Sequence, residues 1–292
     1  MKKYKYEKAD AFTDKNSLGN PASCLYTGND TLSDEEMLFI AKQHKGFVSE
    51  VVFCSKSDTS NCKLVYYSSE CEVDFCGHGT IACLYQLVKN NKELCNKKEL
   101  IFETNKKGKL SLYNEIEKED AVYITAPKPK YLNVPVSSKD IAINLDIDEN
   151  IISKDFPIEL IDAGLRTLIV PFVSLEKEIT TFPCQEKLKD FCLDNGIDII
   201  LIFSMQVSNK ENKAHTRVFA PKFGYLEDPA TGSGNSAFGY YMLKQNIWNG
   251  NPVSLEQGGN DRVFNIVKLK TKDDNVLFGG RSTLRINGEY IL

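Results

Sequence analysis

The chain has 292 residues, of which 42% are hydrophobic and 26% charged, and its formal net charge at pH 7 is −4. Such a composition indicates a globular protein without a long disordered tail, and a chain of this length predicts two domains. The slightly negative charge excludes the basic surface that nucleic-acid binding needs.

The beginning of the chain and its cysteines bear on location. Residues 1–7 alternate charged and aromatic side chains without an apolar stretch, and nowhere do about 18 uncharged apolar residues run together. We therefore expect a cytoplasmic protein without a membrane partner. The nine cysteines include no C-x-x-C pair, so we expect reduced thiols rather than disulfides or a zinc module.

Short segments rich in β-branched and aromatic residues recur along the chain, separated by turn-forming residues. They predict a protein dominated by strands. The predicted strands are residues 3–12, 47–54, 62–67, 100–103, 110–113, 121–125, 166–173, 197–203, 217–220 and 262–268.

Four helices are predicted among these strands. The first begins at Ser33, because Ser33 and Glu36 have the spacing of a capping box. Another spans residues 185–195 and ends at Gly196. The remaining two, residues 80–89 and 235–244, each follow a glycine-rich turn.

These two turns, Cys76-Gly-His-Gly79 and Thr231-Gly-Ser-Gly234, match each other at a fixed offset. Gly77 and Gly232 are 155 positions apart (232 − 77). The same offset pairs Glu72 with Glu227, Gly79 with Gly234, Ala82 with Ala237, Tyr85 with Tyr240 and Lys89 with Lys244. We interpret this self-similarity as a duplicated domain; a chance match between two amphipathic helices is the alternative.

Each turn offers backbone N–H groups and the positive end of a helix dipole, which suit a carboxylate or phosphate. If a twofold axis relates the halves, both turns converge on one cleft, where negative charge developing on a small acid is stabilised. The alternative is that the glycines only close the helices onto the sheets.

Neither a cofactor nor a metal ion is expected. Residues 232–237 fit the G-x-G-x-x-A dinucleotide fingerprint, but residues 222–231 separate them from the preceding strand, which the fingerprint does not allow. The three histidines, His44, His78 and His215, have no neighbours in the sequence at metal-ligand spacing.

Four motifs make the chain resemble a known family: Gly19-Asn-Pro-Ala-Ser23, Ser49-Glu50, Gly77-His78 and Glu227-Asp-Pro-Ala-Thr-Gly-Ser233. Their order and spacing resemble those of the phenazine biosynthesis-like proteins, which have the diaminopimelate epimerase fold. The resemblance implies a homodimeric α+β protein of two similar domains, each an antiparallel, barrel-like sheet around a central helix. We place the domains at residues 1–126 with 281–292, and at residues 127–280.

The resemblance also implies the site. Glu50 corresponds to the family's acid/base, and His78, Asp228 and Ser233 to its other catalytic residues. The residues expected to bind substrate are Asn20, Cys76, Gly77, Gly79, Thr80, Thr231, Gly232 and Gly234. Val51 stands where the family commonly has threonine, which puts the identity of the substrate in doubt.

The residues themselves leave alternatives open. Glu50 lies in an apolar segment, where burial favours a neutral, proton-donating carboxyl, but strand alternation also allows it to face solvent. His78 at a helix N-terminus is disfavoured as a cation, and Asp228 before Pro229 should be extended. A capping role for His78 and Ser233 and a turn role for Asp228 are the structural alternatives.

Racemases of this fold use two cysteine thiols, one on each face of the substrate's α-carbon. Here Cys76 occupies the first thiol position but Thr231 the second, and a threonine hydroxyl is a much weaker base. We therefore expect a cofactor-independent isomerase in which Glu50 moves a proton on a small anionic metabolite in the cleft between the domains. The alternatives are a hydroxyproline dehydratase or epimerase of the proline racemase type using Cys76 and Thr231, and a non-catalytic protein that binds small acids.

Overall fold

The computed structural model describes residues 1–259 and 261–292, which form two compact units. The first unit consists of Met1–Thr125 and Gly279–Leu292, and the second of Ala126–Phe278. The boundaries placed from the sequence lie one and two residues further along the chain (126 against 125, and 280 against 278).

The strands and helices follow one another along both units. The strands are β1 (Lys3–Ala11), β2 (Asn20–Gly28), β3 (Glu50–Ser55), β4 (Cys62–Ser68), β5 (Glu72–Val73), β6 (Glu99–Thr104), β7 (Gly108–Glu115), β8 (Ala121–Thr125), β9 (Lys130–Leu132), β10 (Glu159–Asp162), β11 (Arg166–Pro171), β12 (Ile199–Ser204), β13 (Ala214–Phe219), β14 (Glu227–Asp228), β15 (Val253–Gln257), β16 (Asn265–Lys272), β17 (Asn275–Gly280) and β18 (Ser282–Ile291). The α-helices are α1 (Asp34–Gln43), α2 (Gly77–Lys89), α3 (Lys92–Cys95), α4 (Ile116–Glu119), α5 (Ser138–Leu145), α6 (Leu175–Ile179), α7 (Gln185–Asp194) and α8 (Gly232–Lys244).

The first unit is built on one mixed sheet. Strand β1 pairs antiparallel with both β18 and β2, β2 runs parallel to β3, and β3 runs antiparallel to β4. Strand β4 then pairs antiparallel with β5 and parallel with β6, and β6, β7 and β8 follow as antiparallel neighbours. The parallel pairs have long connections that contain α1 and α2, because parallel neighbours require a crossover.

The second unit repeats this order of pairings. Strands β10 to β16 pair as β1 to β7 do, with β11 parallel to β12 and β13 parallel to β15. Helices α2 and α8 begin and end at the same offset of 155 positions (232 − 77 and 244 − 89). The prediction of an α+β protein with two similar domains is confirmed, with the correction that two strand pairs in each unit are parallel.

The central helices are buried along most of their length. In the first unit α2 packs against β1, β2 and β3 and also against β8 and β18, so the sheet wraps around it. In the second unit α8 packs against β10, β11, β12 and β16. Both helices therefore bury their middle turns.

Helices α1 and α7 follow their sequence signals. The Ser33 hydroxyl accepts a hydrogen bond from the Glu36 N–H while the Glu36 carboxylate accepts one from the Ser33 N–H. Helix α7 ends at Asp194, and Gly196 follows with φ of 65°. The capping box predicted for α1 and the glycine stop predicted for α7 are both confirmed.

Several elements differ from the prediction. In the described part of the chain there are eight α-helices rather than four, because α5 and the short α3, α4 and α6 were not predicted. Strands β2, β10, β15 and β17 and the short β5, β9 and β14 were also not predicted, and the strand expected at residues 262–268 begins only at Asn265. Among the described residues, none of these helices has both the length and the apolar character that crossing a membrane requires.

Candidate active site

Glu50 is the first residue of β3, and the alternation of this strand decides where its side chain points. Val51 and Phe53 pack in a core cluster with Met37 and other residues of α1, so Glu50 and Val52 face the other way. That side is covered by α2, since a Cβ on Gly79 would lie 2.8 Å from Val52 Cγ2. The Glu50 side chain is only 19% exposed, which corrects the alternative that it faces open solvent.

The N-terminus of α2 brings two further side chains to this carboxyl. His78 Nε2 lies 3.3 Å from Glu50 Oε2, and Cys76 Sγ lies 3.8 Å from the same oxygen. Cys76 Sγ is also 3.6 Å from His78 Nδ1, and Ser49 Oγ lies 3.5 Å from His78 Nε2. The three side chains Glu50, Cys76 and His78, here called the E-C-H cluster, thus lie within reach of one another in the first unit.

The Cys76-Gly-His-Gly79 turn is arranged around the thiol. Cys76 is the extended N-cap residue of α2, with φ of −123° and ψ of 106°, and its Sγ accepts a hydrogen bond from the Gly79 N–H at 3.3 Å. A Cβ on residue 79 would lie 2.9 Å from this sulfur. Glycine is therefore required at position 79 for the thiol to cap the helix.

The other residues expected to bind substrate in this unit are mostly engaged within the protein. Thr80 is fully buried, donates its hydroxyl to the Cys76 carbonyl and lies 2.6 Å from the Tyr66 hydroxyl. Burial raises the pKa of Tyr66, so it remains a neutral partner for Thr80. Asn20 is a buried residue at the start of β2, and Gly77 is partly exposed at the first position of α2.

The Glu227-to-Ser233 heptad in the second unit has the same form as the first turn. Thr231 is the N-cap residue of α8, with φ of −119° and ψ of 112°, but its side chain makes no capping hydrogen bond. Asp228 Oδ1 accepts the Ala230 N–H at 3.1 Å, so this carboxylate stabilises the turn. Ser233, predicted to be catalytic, is partly exposed at the second position of α8. Gly232 and Gly234 are buried.

A fully buried glutamine that the sequence analysis missed holds this heptad in place. Gln257 Oε1 accepts hydrogen bonds from Thr231 N–H and Asn235 Nδ2, at 2.8 and 2.7 Å. Its Nε2 donates to the Asp228 carbonyl at 2.8 Å and to Thr231 Oγ1 at 3.3 Å. A glutamine at the end of a strand gives no sequence signal for such a role.

Arg217 anchors the start of the heptad. Its guanidinium donates to both carboxylate oxygens of Glu227, at 2.9 and 2.8 Å, and to the backbone carbonyls of Glu178 and Thr181. The Arg217 side chain is fully buried, so loss of Glu227 would leave a buried positive charge without its carboxylate partner. An arginine ten positions before a glutamate (227 − 217) gives no sequence signal for this pairing.

The E-C-H cluster also offers three metal-ligand atoms within 4.8 Å of one another. No such group was expected from the spacing of residues around the histidines along the chain. Glu50 is 28 positions from His78 (78 − 50), and only the packing of β3 against α2 brings them together. The expectation that His78 has no metal-ligand neighbours is therefore corrected.

Of the predicted site residues, the structure brings Glu50, Cys76 and His78 into one cluster in the first unit. In the second unit, Asp228 and Thr231 are held by the Gln257 network, with Ser233 on the turn that follows. The residues of each group belong to one unit.

Comparison with known proteins identifies the family of this chain. A family model described as Phenazine biosynthesis-like protein (PhzC-PhzF) matches residues 9–288. The Uncharacterized isomerase YfhB of Bacillus subtilis is 28% identical over 261 residues, which cover 88% of this chain and 87% of that protein.

Solved structures share the fold. A Bacillus anthracis phenazine biosynthesis protein of the PhzF family has a TM-score of 0.86 with 24% identity and covers 100% of both chains. A hydroxyproline epimerase from Agrobacterium vitis, solved with bound trans-4-hydroxy-L-proline, has a TM-score of 0.58 with 10% identity and covers 98% of this chain and 92% of its own. The family match across residues 9–288 shows that the chain belongs to the phenazine biosynthesis-like protein family.

Proposed function

We propose that the protein is a cofactor-independent isomerase that moves a proton on a small carboxylate substrate, with Glu50 as the single acid and base. The observation that carries this proposal is the position of the Glu50 carboxyl, which is largely covered yet 3.3 Å from His78 Nε2 and has no lysine or arginine partner among the described residues. The relatives called isomerases support the reaction class.

In this proposal Glu50 and the groups around it have different roles in the reaction. Glu50 takes a proton from one carbon of the substrate and returns it to another carbon on the same face. His78 hydrogen-bonds either the carboxyl or the substrate, and the N-terminal turn of α2 stabilises negative charge through its N–H groups and dipole. Asp228 and Ser233, in the second unit, are proposed to be required for turnover as well.

Replacing Glu50 with glutamine tests this proposal. A panel of small unsaturated and hydroxylated carboxylic acids, trans-3-hydroxyproline among them, is screened by NMR for isomerisation and for binding. We expect Glu50→Gln to lower turnover at least ~100-fold while binding persists, since the amide keeps the shape but cannot exchange a proton.

Glu70→Gln is the matched control, because Glu70 is an exposed carboxylate paired with Lys45 and is not part of the E-C-H cluster. Its turnover should equal that of the wild type. Wild-type turnover by Glu50→Gln would remove Glu50 from the mechanism, and binding without turnover by the wild type across the panel would favour a non-catalytic binding protein.

A second candidate function uses Cys76 as the base, as in a hydroxyproline dehydratase or epimerase. It is favoured by the position of Sγ, which lies 3.6 Å from His78 Nδ1 at a helix N-terminus, the kind of surroundings in which cysteines act as bases or nucleophiles. Conversion of trans-3-hydroxyproline that is lost on thiol alkylation and in Cys76→Ser would support this candidate. A reaction that depends on Glu50 alone should leave that substrate unchanged.

A further inference from the structure

The E-C-H cluster places a thiol, an imidazole nitrogen and a carboxylate oxygen at the corners of a small triangle. His78 Nε2 is 3.3 Å from Glu50 Oε2, Cys76 Sγ is 3.8 Å from Glu50 Oε2, and Cys76 Sγ is 3.8 Å from His78 Nε2. The side chains of His78 and Glu50 are 13% and 19% exposed, so the triangle is largely shielded from solvent.

These separations match the edges of a tetrahedral zinc site. Zinc binds sulfur at about 2.3 Å and nitrogen or oxygen at about 2.0–2.2 Å, which at the tetrahedral angle gives edges of about 3.3–3.7 Å. The three observed edges differ from these values by at most a few tenths of an ångström. One ion could therefore bind all three atoms with only small side-chain adjustments.

The combination of ligands selects the kind of ion. A thiolate with an imidazole and a carboxylate suits Zn²⁺ and similar borderline cations, whereas Mg²⁺ and Ca²⁺ require oxygen ligands. The Gly79 N–H already donates to the Cys76 sulfur, and this hydrogen bond is compatible with a metal-bound thiolate. Three protein ligands leave a fourth tetrahedral position for water or an anion.

We propose that Glu50, Cys76 and His78 form a reversible Zn²⁺ site and that the bound ion inhibits the protein. Binding replaces the Cys76 S–H bond with an S–Zn bond and releases that proton to solvent. The ion also binds Glu50 Oε2 and withdraws electron density from the carboxylate, so this group becomes a much weaker base towards the substrate. The inhibition rests on the proposed function, whereas the binding does not.

Metal binding is measured directly on the full chain after treatment with a chelator. Zn²⁺ is titrated in competition with a chromophoric chelator, and Co²⁺ serves as a spectroscopic probe because a thiolate ligand gives a charge-transfer band. We expect one equivalent to bind and the band to appear. Cys76→Ser should abolish the band, and Glu50→Gln and His78→Gln should each weaken Zn²⁺ binding at least ~10-fold, the size that changes around a metal site commonly produce.

The exposed cysteines provide the controls. Cys71→Ser and Cys184→Ser should leave the stoichiometry, the affinity and the Co²⁺ band unchanged, because both thiols are outside the cluster. Serine is close in size to cysteine and can also accept the Gly79 N–H, and circular dichroism verifies that Cys76→Ser is folded. A charge-transfer band retained by Cys76→Ser, or lost in either control, would overturn the site.

The binding and the catalytic proposals fail separately. No Zn²⁺ binding by a wild-type protein whose turnover still depends on Glu50 would overturn the metal site alone. Zn²⁺ binding through the cluster, with turnover that persists in Glu50→Gln, would overturn the catalytic proposal and the inhibitory role of zinc but leave the site itself supported.

Discussion

Glu178 and His215 form a fully buried pair in the second unit, with Oε1 and Nδ1 2.9 Å apart. Burial raises the pKa of Glu178 to about 7, against the opposing effect of His215 and Arg217 and with a small addition from Glu227. The folded protein therefore holds a proton on Glu178 that the unfolded chain loses near pH 4.5. Stability from this group is present below that pH and declines as the pH rises through about 7.

We expect Glu178→Gln to remove this decline, because the amide fills the same space without titrating. For a pKa shift of this size, the free energy of unfolding should fall by on the order of 3 kcal/mol as the pH rises from 4.5 to about 7. The test is to measure the urea unfolding midpoints of the wild type and the variant from pH 4.5 to about 7 and to compare their dependence on pH. Glu176→Gln, which changes an exposed neighbouring carboxylate, should keep the wild-type slope. A wild-type slope in Glu178→Gln would show that other groups cause the pH dependence.

The next prediction concerns Gln257, which holds the second glycine-rich turn in place through its hydrogen bonds. Methionine is close to glutamine in size but lacks all four hydrogen bonds to the heptad and Asn235. We expect Gln257→Met to lower the free energy of unfolding by about 2–4 kcal/mol. Gln245→Met removes one hydrogen bond, to Glu159, and should lower it by less than ~1 kcal/mol. If urea unfolding shows that both variants lose the same free energy of unfolding, Gln257 does not have the structural role assigned to it.

At the residue scale, the sequence identified candidate site residues where they lie in motifs that resemble those of a family. Glu50 and His78 were identified because their motifs resemble a family, and the structure places them together. Gln257 and Arg217 could not be found in this way, since their importance comes from partners 26 and 10 positions away (257 − 231 and 227 − 217). Such pairings depend on the fold and leave no local pattern.

Helix α8 begins where Gly232 lies against the aromatic ring of Phe278. A Cβ on residue 232 would overlap atoms of this buried ring. We expect Gly232→Ala to destabilise the protein by about 1–3 kcal/mol through overpacking, despite the higher helix propensity of alanine. Gly288→Ala is the control, because its Cβ would meet open space, and should change stability by less than ~0.5 kcal/mol. Similar thermal midpoints for both variants would be the contrary result.

At the scale of elements, helices and strands were predicted correctly where a local sequence signal marks their ends. The capping box at Ser33 located α1 because both of its hydrogen bonds form within four residues. Helices α2 and α8 begin at Gly77 and Gly232, three positions earlier than predicted, because the glycine-rich turns form the first helical turn. Strand β2 was missed because it contains Pro21 and ends in Thr27-Gly28, which resemble a turn.

At the scale of the whole chain, each unit has its own core, and the second is continuous in sequence. Its core is a cluster of buried side chains from α5, α7 and the strands that include Leu168 and Ile200. The first unit is completed by β18, which pairs with β1 from Lys3 to Ala11. This arrangement predicts different behaviour for fragments of the two units.

We expect residues 126–278 to fold alone with a cooperative thermal transition measured by circular dichroism. Residues 1–125 alone should not fold cooperatively, because β1 loses β18, one of its two partner strands. Joining residue 125 to residue 279 by a short linker should restore folding, since Gly279 packs against Val122. Cooperative unfolding of residues 1–125 alone would show that β18 is dispensable for the first unit.

The proposed isomerisation depends most on Glu50 being the group that takes the proton. The direct measurement is ¹H NMR of a substrate from the carboxylic-acid panel in D₂O, following loss of the C–H signal with each variant. We expect the C–H signal of the donor carbon to be lost with the wild type and with Cys76→Ser, and to be lost at least ~100-fold more slowly with Glu50→Gln. Loss of this signal at the wild-type rate with Glu50→Gln, and its retention with Cys76→Ser, would show that Cys76 and not Glu50 takes the proton.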